Sequence, residues 1–368
     1  MAAAAAVSLS SPCRDEAAPG ASPAFPGTRD NRTMRILVLG GTSFVGRWVV
    51  TRAVERGWRV TTFNRGLRGW AHPQAERVTG DRLSADDLAR LAEGRWDAVV
   101  DTWAGAPRVV RDSARALSGR AERYLYVSSR ALYEPPLPPG LDETHPTVAS
   151  SPDAGTAGYA HDKRGGELAV EESFGDRAVL ARAGLILGPY EDRGRLPYWL
   201  RRAQQGGEML APGPRDLPLR YVDARDLATW LLDAAGGGVS GPVNLVNPEG
   251  HATTGTLLEA AVAVTGGVAR LVWADWPVIE AAGVDRWIAL PGWVPPEPDL
   301  AGLVHTDTAR AEATGLRCRP VEETVADTWR WLTEAGGPPP LPPGEPPLGI
   351  DPDRERAVIA AWRDAATA

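Results

Sequence analysis

The segment 36–46, ILVLGGTSFVG, places an apolar strand, a glycine-rich turn and the start of a helix in direct succession. Gly40 permits a tight turn after the strand, and Gly46 allows the helix to pack closely against it. Free N–H groups at the start of such a helix attract a pyrophosphate, so the segment predicts a dinucleotide site. Ser43 replaces the middle glycine of the full G-x-x-G-x-x-G pattern, and its hydroxyl can donate to phosphate. An ordinary strand-to-helix turn is the alternative interpretation.

The end of the second predicted strand indicates which nicotinamide dinucleotide is bound. An NAD site usually has an acid there for the ribose hydroxyls, whereas this sequence has Asn64 followed by Arg65. We therefore expect NADP(H) to be favoured and NAD(H) to be possible, with a solvated surface Arg65 as the alternative. Asp81 could accept a hydrogen bond from adenine, although a plain turn would look the same. The predicted cofactor residues are Gly40, Thr42, Ser43, Phe44, Val45, Gly46, Asn64, Arg65, Asp81, Arg82 and Thr102.

The surrounding sequence alternates short β-branched runs with helical stretches, which predicts a parallel sheet. The expected fold is α/β, a doubly wound parallel (Rossmann) sheet with a smaller C-terminal substrate-binding subdomain. We expect the dinucleotide-binding domain over 34–187, with a returning strand near 243–246, and the subdomain over 188–335. Residues 336–350 are proline-rich and predict a stiff linker, and 351–368 predict a helix.

Composition narrows the class of partner. The net charge of -7 provides no general basic field, so neither nucleic acid nor an anionic membrane is expected as a partner. No apolar run reaches the roughly 18 residues of a membrane helix. Two cysteines cannot form a disulfide framework, which favours a cytoplasmic protein, and the five histidines lack metal-ligand spacing, so no metal is expected. Residues 1–33 predict a disordered tail, either native or a start-site artefact, since Met34 begins the first strand directly.

Tyr159 and Lys163 are candidate catalytic residues. They stand four positions apart in a predicted helix, so they lie on one face. An ammonium beside a phenol favours the phenolate and makes tyrosine a usable acid or base. The pair follows a predicted strand, 124–128, and the hydroxyls of Ser128 and Ser129 stand at its carboxyl end, where ligands of such folds bind.

These features resemble the extended short-chain dehydrogenase/reductase family, the group of NAD-dependent epimerases and dehydratases, over roughly residues 34–332. The segments 181–189, ARAGLILGP, and 221–228, YVDARDLA, are similar to later signatures of that family. The resemblance implies that Tyr159 is the acid/base and that Lys163 holds the nicotinamide ribose and favours the phenolate. It also implies that Ser129, four residues before Tyr133, orients the substrate oxygen, with Ser128 as the alternative. Homodimers are common in the family, so a homodimer is possible.

Three departures from the family pattern concern the substrate. Dehydratases of sugar nucleotides carry Asp-Glu after the catalytic hydroxyl, but this chain has Arg130 and Ala131, which argues against that dehydration. Many family enzymes neutralise a diphosphate with an arginine where this chain has Leu219, and Arg220 is one position off. We therefore expect no diphosphate-bearing substrate. Ala183 replaces a usual proline and affects a strand end more than the chemistry.

Tryptophans and arginines of the predicted subdomain each allow two interpretations. The tryptophans suit core packing or an aromatic wall around an apolar or ring-shaped substrate. The arginine run after residue 189 suits a solvated face or the binding of a substrate carboxylate or the cofactor. The residues concerned are Trp199, Trp273, Trp276, Trp287, Trp293, Arg193, Arg195, Arg201 and Arg202.

Taken together, these patterns predict an NADP(H)-dependent oxidoreductase that interconverts a carbonyl and a secondary alcohol on a small molecule. An epimerase that oxidises and re-reduces one carbon would use the same residues. A dinucleotide-sensing or RNA-associated binding protein is an alternative of another class. The presence of Tyr159, Lys163 and Ser129 and the acidic net charge argue against it.

Overall fold

The computed structural model describes residues 33–338, 340 and 346–367. The predicted tail, residues 1–33, lies outside the described residues apart from its last one, as does part of the predicted linker 336–350. The strands are β1 Arg35–Leu39, β2 Arg59–Asn64, β3 Glu76–Thr79, β4 Trp96–Asp101, β5 Ala121–Ser129, β6 Ala178–Ala183, β7 Leu185–Leu187, β8 Gly207–Pro212, β9 Tyr221–Asp223, β10 Gly241–Leu245 and β11 Ala269–Ala274.

The helices complete a layered arrangement. They are α1 Phe44–Glu55, α2 Ala85–Leu91, α3 Pro107–Leu117, α4 Tyr159–Phe174, α5 Arg195–Gln205, α6 Ala224–Ala235, α7 Thr254–Val264, α8 Trp276–Ala281, α9 Ala301–Val304, α10 Ala309–Ala313, α11 Val321–Glu334 and α12 Pro352–Thr367. No helix in the described ranges is long and apolar enough to cross a membrane.

Seven strands form one parallel sheet in the order β10-β6-β5-β4-β1-β2-β3. The strand order reverses at β1 and β4, which is the topology of a doubly wound sheet and confirms the predicted fold class. Ligands of such sheets bind at the carboxyl edge beside the point of reversal. β10 overlaps the segment 243–246, which the sequence predicts to return to this sheet, and it pairs with β6 at one end.

Alternate residues of β1 supply two cores, one on each face of the sheet. Ile36 and Val38 pack into a core with α1 and α6, whereas Leu37 and Leu39 pack into a core with α3 and α4. A strand buried on both faces needs the continuous apolar run ILVL rather than an alternating pattern. The fold thereby holds the glycine turn at the end of a strand that is buried from Ile36 to Leu39.

The C-terminal part forms a separate apolar core around two short parallel sheets, β11-β8 and β7-β9. Helices α5, α7, α8, α11 and α12 contribute residues to this core. Val358 and Ile359 of α12 are buried in it, and Glu355 accepts hydrogen bonds from Arg202. The terminal helix is thus docked against the part of the chain that covers the carboxyl edge of the main sheet.

Candidate active site

The turn after β1 can be built only with glycine at two positions. Gly40 has a φ of +115°, and a Cβ added there would lie 2.8 Å from Thr102 Oγ1. A Cβ on Gly46 would lie 2.8 Å from the backbone nitrogen of Gly41. Any side chain at these positions would force the turn away from α1 or from β4. The missing side chains leave bare backbone at the carboxyl edge of the sheet.

The N-terminus of α1 has unused hydrogen-bond donors. Ser43 is its N-cap residue, but the Ser43 side chain accepts no capping hydrogen bond, and the first turn contains no acidic residue. The backbone N–H groups of that turn, at the positive end of the helix dipole, therefore suit an anionic group. These features fit a dinucleotide pyrophosphate. Thr42 is half-buried, and Phe44 and Val45 are buried in the core under the turn.

Asn64 holds the glycine turn in place. Its Nδ2 donates to the carbonyl of Gly40 at 3.2 Å, and its Oδ1 accepts from the backbone N–H of Gly66 at 3.0 Å. Arg65 is exposed next to it. Arg77 of β3 also reaches this loop, because a Cβ on Gly66 would lie 2.4 Å from its Nη2. Two arginines thus stand beside the end of β2, and the sequence analysis identified only Arg65.

Arg82 lies beneath the site, where its guanidinium forms a two-fold hydrogen bond to Asp101 at 2.7 and 2.8 Å. Asp101 is fully buried and also accepts from the hydroxyl of Tyr124. Burial acts to raise the pKa of Asp101, but the charge of Arg82 and the hydrogen bonds from Arg82, Tyr124 and the N–H of Trp103 together outweigh it and lower that pKa. Arg82 is therefore engaged in an internal ion pair, which no local sequence pattern indicates, and its predicted contact with the cofactor stays a prediction. Asp81 accepts from the N–H of Leu83.

Lys163 is fixed by two main-chain carbonyls. Its Nζ donates to the oxygens of Trp103 and Val127, both at 2.6 Å, and the side chain is 3% exposed. Burial lowers the pKa of Lys163 to about 8, although Asp101 and Glu167 act to raise it. Lys163 is also the only lysine among the 40 basic residues of the chain, the other 39 being arginines. The single lysine ammonium of the chain therefore lies on the buried face of α4.

Tyr159 stands at the first turn of α4 and opens to solvent, with 52% of its surface exposed. The Nζ of Lys163 lies 5.9 Å from the centroid of its ring. The helix begins here because Gly158 has a φ of +114°, which turns the chain into α4. The predicted pair therefore lies on one helical face, with Lys163 buried and Tyr159 exposed.

Tyr159 and Ser129 line a common cavity of about 380 Å³. The hydroxyl oxygen of Ser129 accepts a hydrogen bond from the backbone N–H of Ala131 in the turn after β5. The Ser129 side chain lies at the cavity wall. Ser128 is buried, does not line the cavity, and its hydroxyl has no hydrogen-bond partner among the described residues. Of the five tryptophans named above from the sequence, Trp287 contributes to the lining of this cavity and the other four do not.

A larger cavity of about 810 Å³ lies between α5 and α12, lined in part by Arg193, Arg201 and Arg202. It includes neither Tyr159 nor Ser129, the predicted catalytic residues, which line the smaller cavity. Arg193 and Arg195 line the smaller cavity as well, and Arg195 is paired with Glu191. Within the described ranges, no group of three His, Cys, Asp or Glu side chains could hold a metal ion.

Other residues of the site were missed by sequence reasoning. Arg47, directly after the glycine turn, is sandwiched between Tyr190, at 3.5 Å from the ring centroid, and Trp70, at 4.4 Å. Arg130 and Arg220 are both buried and line the cavity with Ser129 and Tyr159. The sequence analysis treated these two arginines only as departures from a family pattern. No local pattern signals their convergence, because it depends on contacts between distant parts of the chain.

Residues 36–245, more than half of the chain, match the NAD dependent epimerase/dehydratase family. The chain belongs to this family. It is therefore an NAD-dependent enzyme, which confirms the predicted family and enzyme class. The matched range runs from β1 to β10 and so includes every strand of the main sheet.

Two relatives illustrate the range of the family. Ceramide reductase of Caulobacter vibrioides is 28% identical over 331 residues, which cover 82% of this chain and 95% of that protein. The 3 beta-hydroxysteroid dehydrogenase/Delta 5→4-isomerase of Mycobacterium tuberculosis is 35% identical over 108 residues, 26% of this chain and 29% of that protein.

Solved structures share the fold. The enzyme WbmH of Bordetella bronchiseptica, in complex with NAD+, aligns with a TM-score of 0.61 and 21% identity, covering 83% of this chain and 100% of that one. The UDP-glucose 4-epimerase of Thermotoga maritima, with UDP-glucose, aligns with a TM-score of 0.61 and 18% identity, covering 82% and 99%.

Proposed function

We propose that this enzyme interconverts a carbonyl and a secondary alcohol on a small molecule. The observation that carries the proposal is the arrangement of Ser129, Tyr159 and Lys163 at one end of the sheet, where the first two line one cavity. Two relatives with names that denote a reductase and a hydroxysteroid dehydrogenase support net oxidoreduction.

Each of the three side chains has a distinct task in this proposal. Ser129 hydrogen-bonds the reacting oxygen of the substrate and orients it. Tyr159 gives a proton from its hydroxyl to that oxygen during reduction and takes it back during oxidation. Lys163 keeps a positive charge near the phenol, which favours the phenolate that remains after proton donation. When bound, the dinucleotide would supply a hydride to the carbon that carries this oxygen, or accept a hydride from it.

Residues for the dinucleotide follow from the backbone of the glycine turn. Gly40, Gly41 and the first turn of α1 would hold the pyrophosphate, since they offer bare backbone and free N–H groups. Lys163 would hold the nicotinamide ribose. We further propose a preference for NADP(H), because Arg65 and Arg77 stand beside the end of β2, and the neutral Asn64 does not repel a 2′-phosphate.

An epimerase is the second candidate, because transient oxidation and re-reduction of one carbon would use the same three side chains. The family match supports it equally. Net consumption of reduced cofactor distinguishes the two, since an epimerase returns its hydride to the substrate. Tyr159, Lys163 and Ser129 in one site argue against a purely binding protein. A homodimer and a cytoplasmic location stay predictions.

A substrate panel tests the proposal. Wild-type enzyme would be mixed with NADPH and ketones that include 3-oxo lipids and 3-oxosteroids, and cofactor oxidation would be followed together with the product. We expect stoichiometric formation of an alcohol from at least one ketone of the panel. Epimerised product without net cofactor oxidation would favour the epimerase, and binding without conversion of any compound would favour the binding protein.

A further inference from the structure

Arg130 and Arg220 are buried side by side at the wall of the active-site cavity. They are 5% and 6% exposed, and both line the cavity that Ser129 and Tyr159 line. Arg130 directly follows Ser129 in the chain and comes from the turn after β5. Arg220 precedes β9. Two guanidinium groups from distant parts of the chain therefore converge beside the proposed catalytic hydroxyl.

The hydrogen bonds of these arginines leave donors unused. Arg130 Nη1 donates to the carbonyl of Leu303 at 3.2 Å and to the hydroxyl of Thr306, and Arg220 Nη2 donates to the carbonyl of Thr306 at 2.8 Å. The Nε of Arg130 and the Nε and Nη1 of Arg220 are buried and have no hydrogen-bond partner in the described part of the chain. Three buried donors thus have no partner, and they belong to two side chains that line the cavity.

Other buried arginines of this chain have carboxylate partners. Arg182 pairs with Glu167 at 2.9 Å, and Arg225 pairs with Asp223 at 2.7 Å. No carboxylate of the described residues forms an ion pair with Arg130 or Arg220. Arg130 and Arg220 lack such a direct partner, and the charges of Glu249 and Glu312 act on Arg220 only from beyond ion-pair distance.

An unpaired buried charge is costly, and two of the same sign repel each other. Burial and the nearby charge of Arg220 together lower the pKa of Arg130 to about 9. A bound anion beside the pair would offset both costs, since its charge would neutralise the two guanidinium groups.

We propose that Arg130 and Arg220 bind an oxyanion group, a carboxylate or a phosphate, that the substrate carries close to its reacting carbon. The proposal rests on the oxidoreductase function proposed above and adds the chemical class of the substrate. Arg130 is adjacent to Ser129, so the anion lies next to the oxygen that Ser129 orients. Apolar residues of the same cavity, among them Leu185, Trp287 and Val294, receive the uncharged remainder.

Simple anions test the site without knowledge of the substrate. Acetate, inorganic phosphate and the neutral analogue acetamide would be titrated into the wild-type protein at constant ionic strength, with the melting temperature and calorimetric affinity recorded. We expect acetate, phosphate or both to raise the melting temperature, because a ligand of the folded state stabilises it, and acetamide to have no effect. The anion that binds with the higher affinity indicates whether the substrate carries a carboxylate or a phosphate.

The variants Arg130→Gln and Arg220→Gln should each weaken anion affinity about tenfold or more. Arg215→Gln is the matched control. It removes the same positive charge, but from an exposed side chain that pairs with Glu259. Without anion, the two site variants should melt at or above the wild-type temperature, since each removes an unpaired buried charge. Arg130→Lys and Arg220→Lys keep the charge but not the forked donors, and intermediate affinity is expected.

Equal anion affinity in wild type and both Gln variants would overturn the proposal. A melting temperature below wild type in every site variant, with no stabilisation of the wild type by either anion, would show a structural role instead. Tyr159→Phe should bind anions normally, so loss of turnover with intact anion binding separates failure of this inference from failure of the proposed reaction.

Discussion

The ammonium of Lys163 donates a 2.6 Å hydrogen bond to the main-chain carbonyl of Trp103, which follows β4. Trp103 is held in turn, because its backbone N–H donates to Asp101 at 2.9 Å. Asp101 is itself fixed by the guanidinium of Arg82. The buried ion pair of Arg82 and Asp101 therefore fixes the loop at Trp103. This loop in turn positions Lys163. Arg82 and Asp101 act through other residues and need no contact with the substrate.

The pKa of Lys163 can be measured directly, because it is the only lysine of the chain. Protein labelled with 13C at lysine Cε gives one side-chain NMR signal, whose titration reports this ammonium alone. We expect a midpoint about 8, below the ordinary 10.5, because burial disfavours the charged form. The urea-unfolded protein is the internal control and should titrate near the ordinary value. A native midpoint near 10.5 would contradict the burial of Lys163.

This depressed pKa also predicts how stability depends on pH. Between about 8 and 10.5 the unfolded chain keeps its lysine protonated while the native chain does not, so the free energy of unfolding contributed by Lys163 rises with pH. This stabilising contribution is fully present above pH 10.5 and is lost as the pH falls through about 8. Urea denaturation of wild type and Lys163→Met across this window isolates it, since the variant should lack the rise.

Asp101→Asn should destabilise the protein strongly. The variant leaves the guanidinium of Arg82 buried without its counter-charge, and removal of one partner of a buried pair costs about 3–5 kcal/mol. It should also lower the pKa of Lys163 further, because Asp101 acts to raise it. Denaturant unfolding measures the first effect and the lysine NMR titration measures the second.

The control for Asp101→Asn is Glu259→Gln, which breaks the exposed pair with Arg215. Exposed ion pairs contribute about 0–1 kcal/mol to stability, so we expect little change in the free energy of unfolding. A cost for Asp101→Asn as small as that of the control would mean that Arg82 finds water or another acceptor, and that the loop at Trp103 does not depend on this pair.

The sequence was sufficient to predict the fold and the motif residues, because both are local patterns. The apolar run of β1, the glycine spacing and the four-residue separation of Tyr159 and Lys163 each report on neighbours along the chain. The ion pair of Arg82 with Asp101 and the meeting of Arg130 with Arg220 are set by tertiary contacts. For that reason the sequence indicates neither the ion pair of Arg82 nor the charge at the cavity wall.

Tyr159→Phe should reduce turnover about 100-fold or more while cofactor affinity stays nearly unchanged, because it deletes the proton donor and no cofactor contact. Lys163→Ala should impair both, since the lysine is expected to hold the ribose as well as the charge. Steady-state rates and cofactor titrations of the two variants measure these effects. A Tyr159→Phe enzyme with more than about a tenth of the wild-type rate would show that another group transfers the proton.

The last prediction concerns the choice between NADP(H) and NAD(H). Asn64 is already engaged with Gly40 and Gly66, so it shapes the turn and leaves recognition of the 2′ position to its neighbours. Arg65 is exposed, and Arg77 reaches the same loop, so both can donate to a 2′-phosphate.

A charge-assisted hydrogen bond contributes about 1.5–3 kcal/mol, which corresponds to a preference for NADP(H) of roughly tenfold to a hundredfold. Arg65→Ala should remove most of this preference, and Arg65→Ala with Arg77→Ala should remove all of it, with NAD(H) affinity unchanged. Arg215→Ala is the control for loss of a surface charge far from β2. Calorimetric titration of both cofactors against each variant is the measurement. If wild type binds NAD(H) and NADP(H) equally, the two arginines are solvated surface residues and the 2′ position is not recognised by charge.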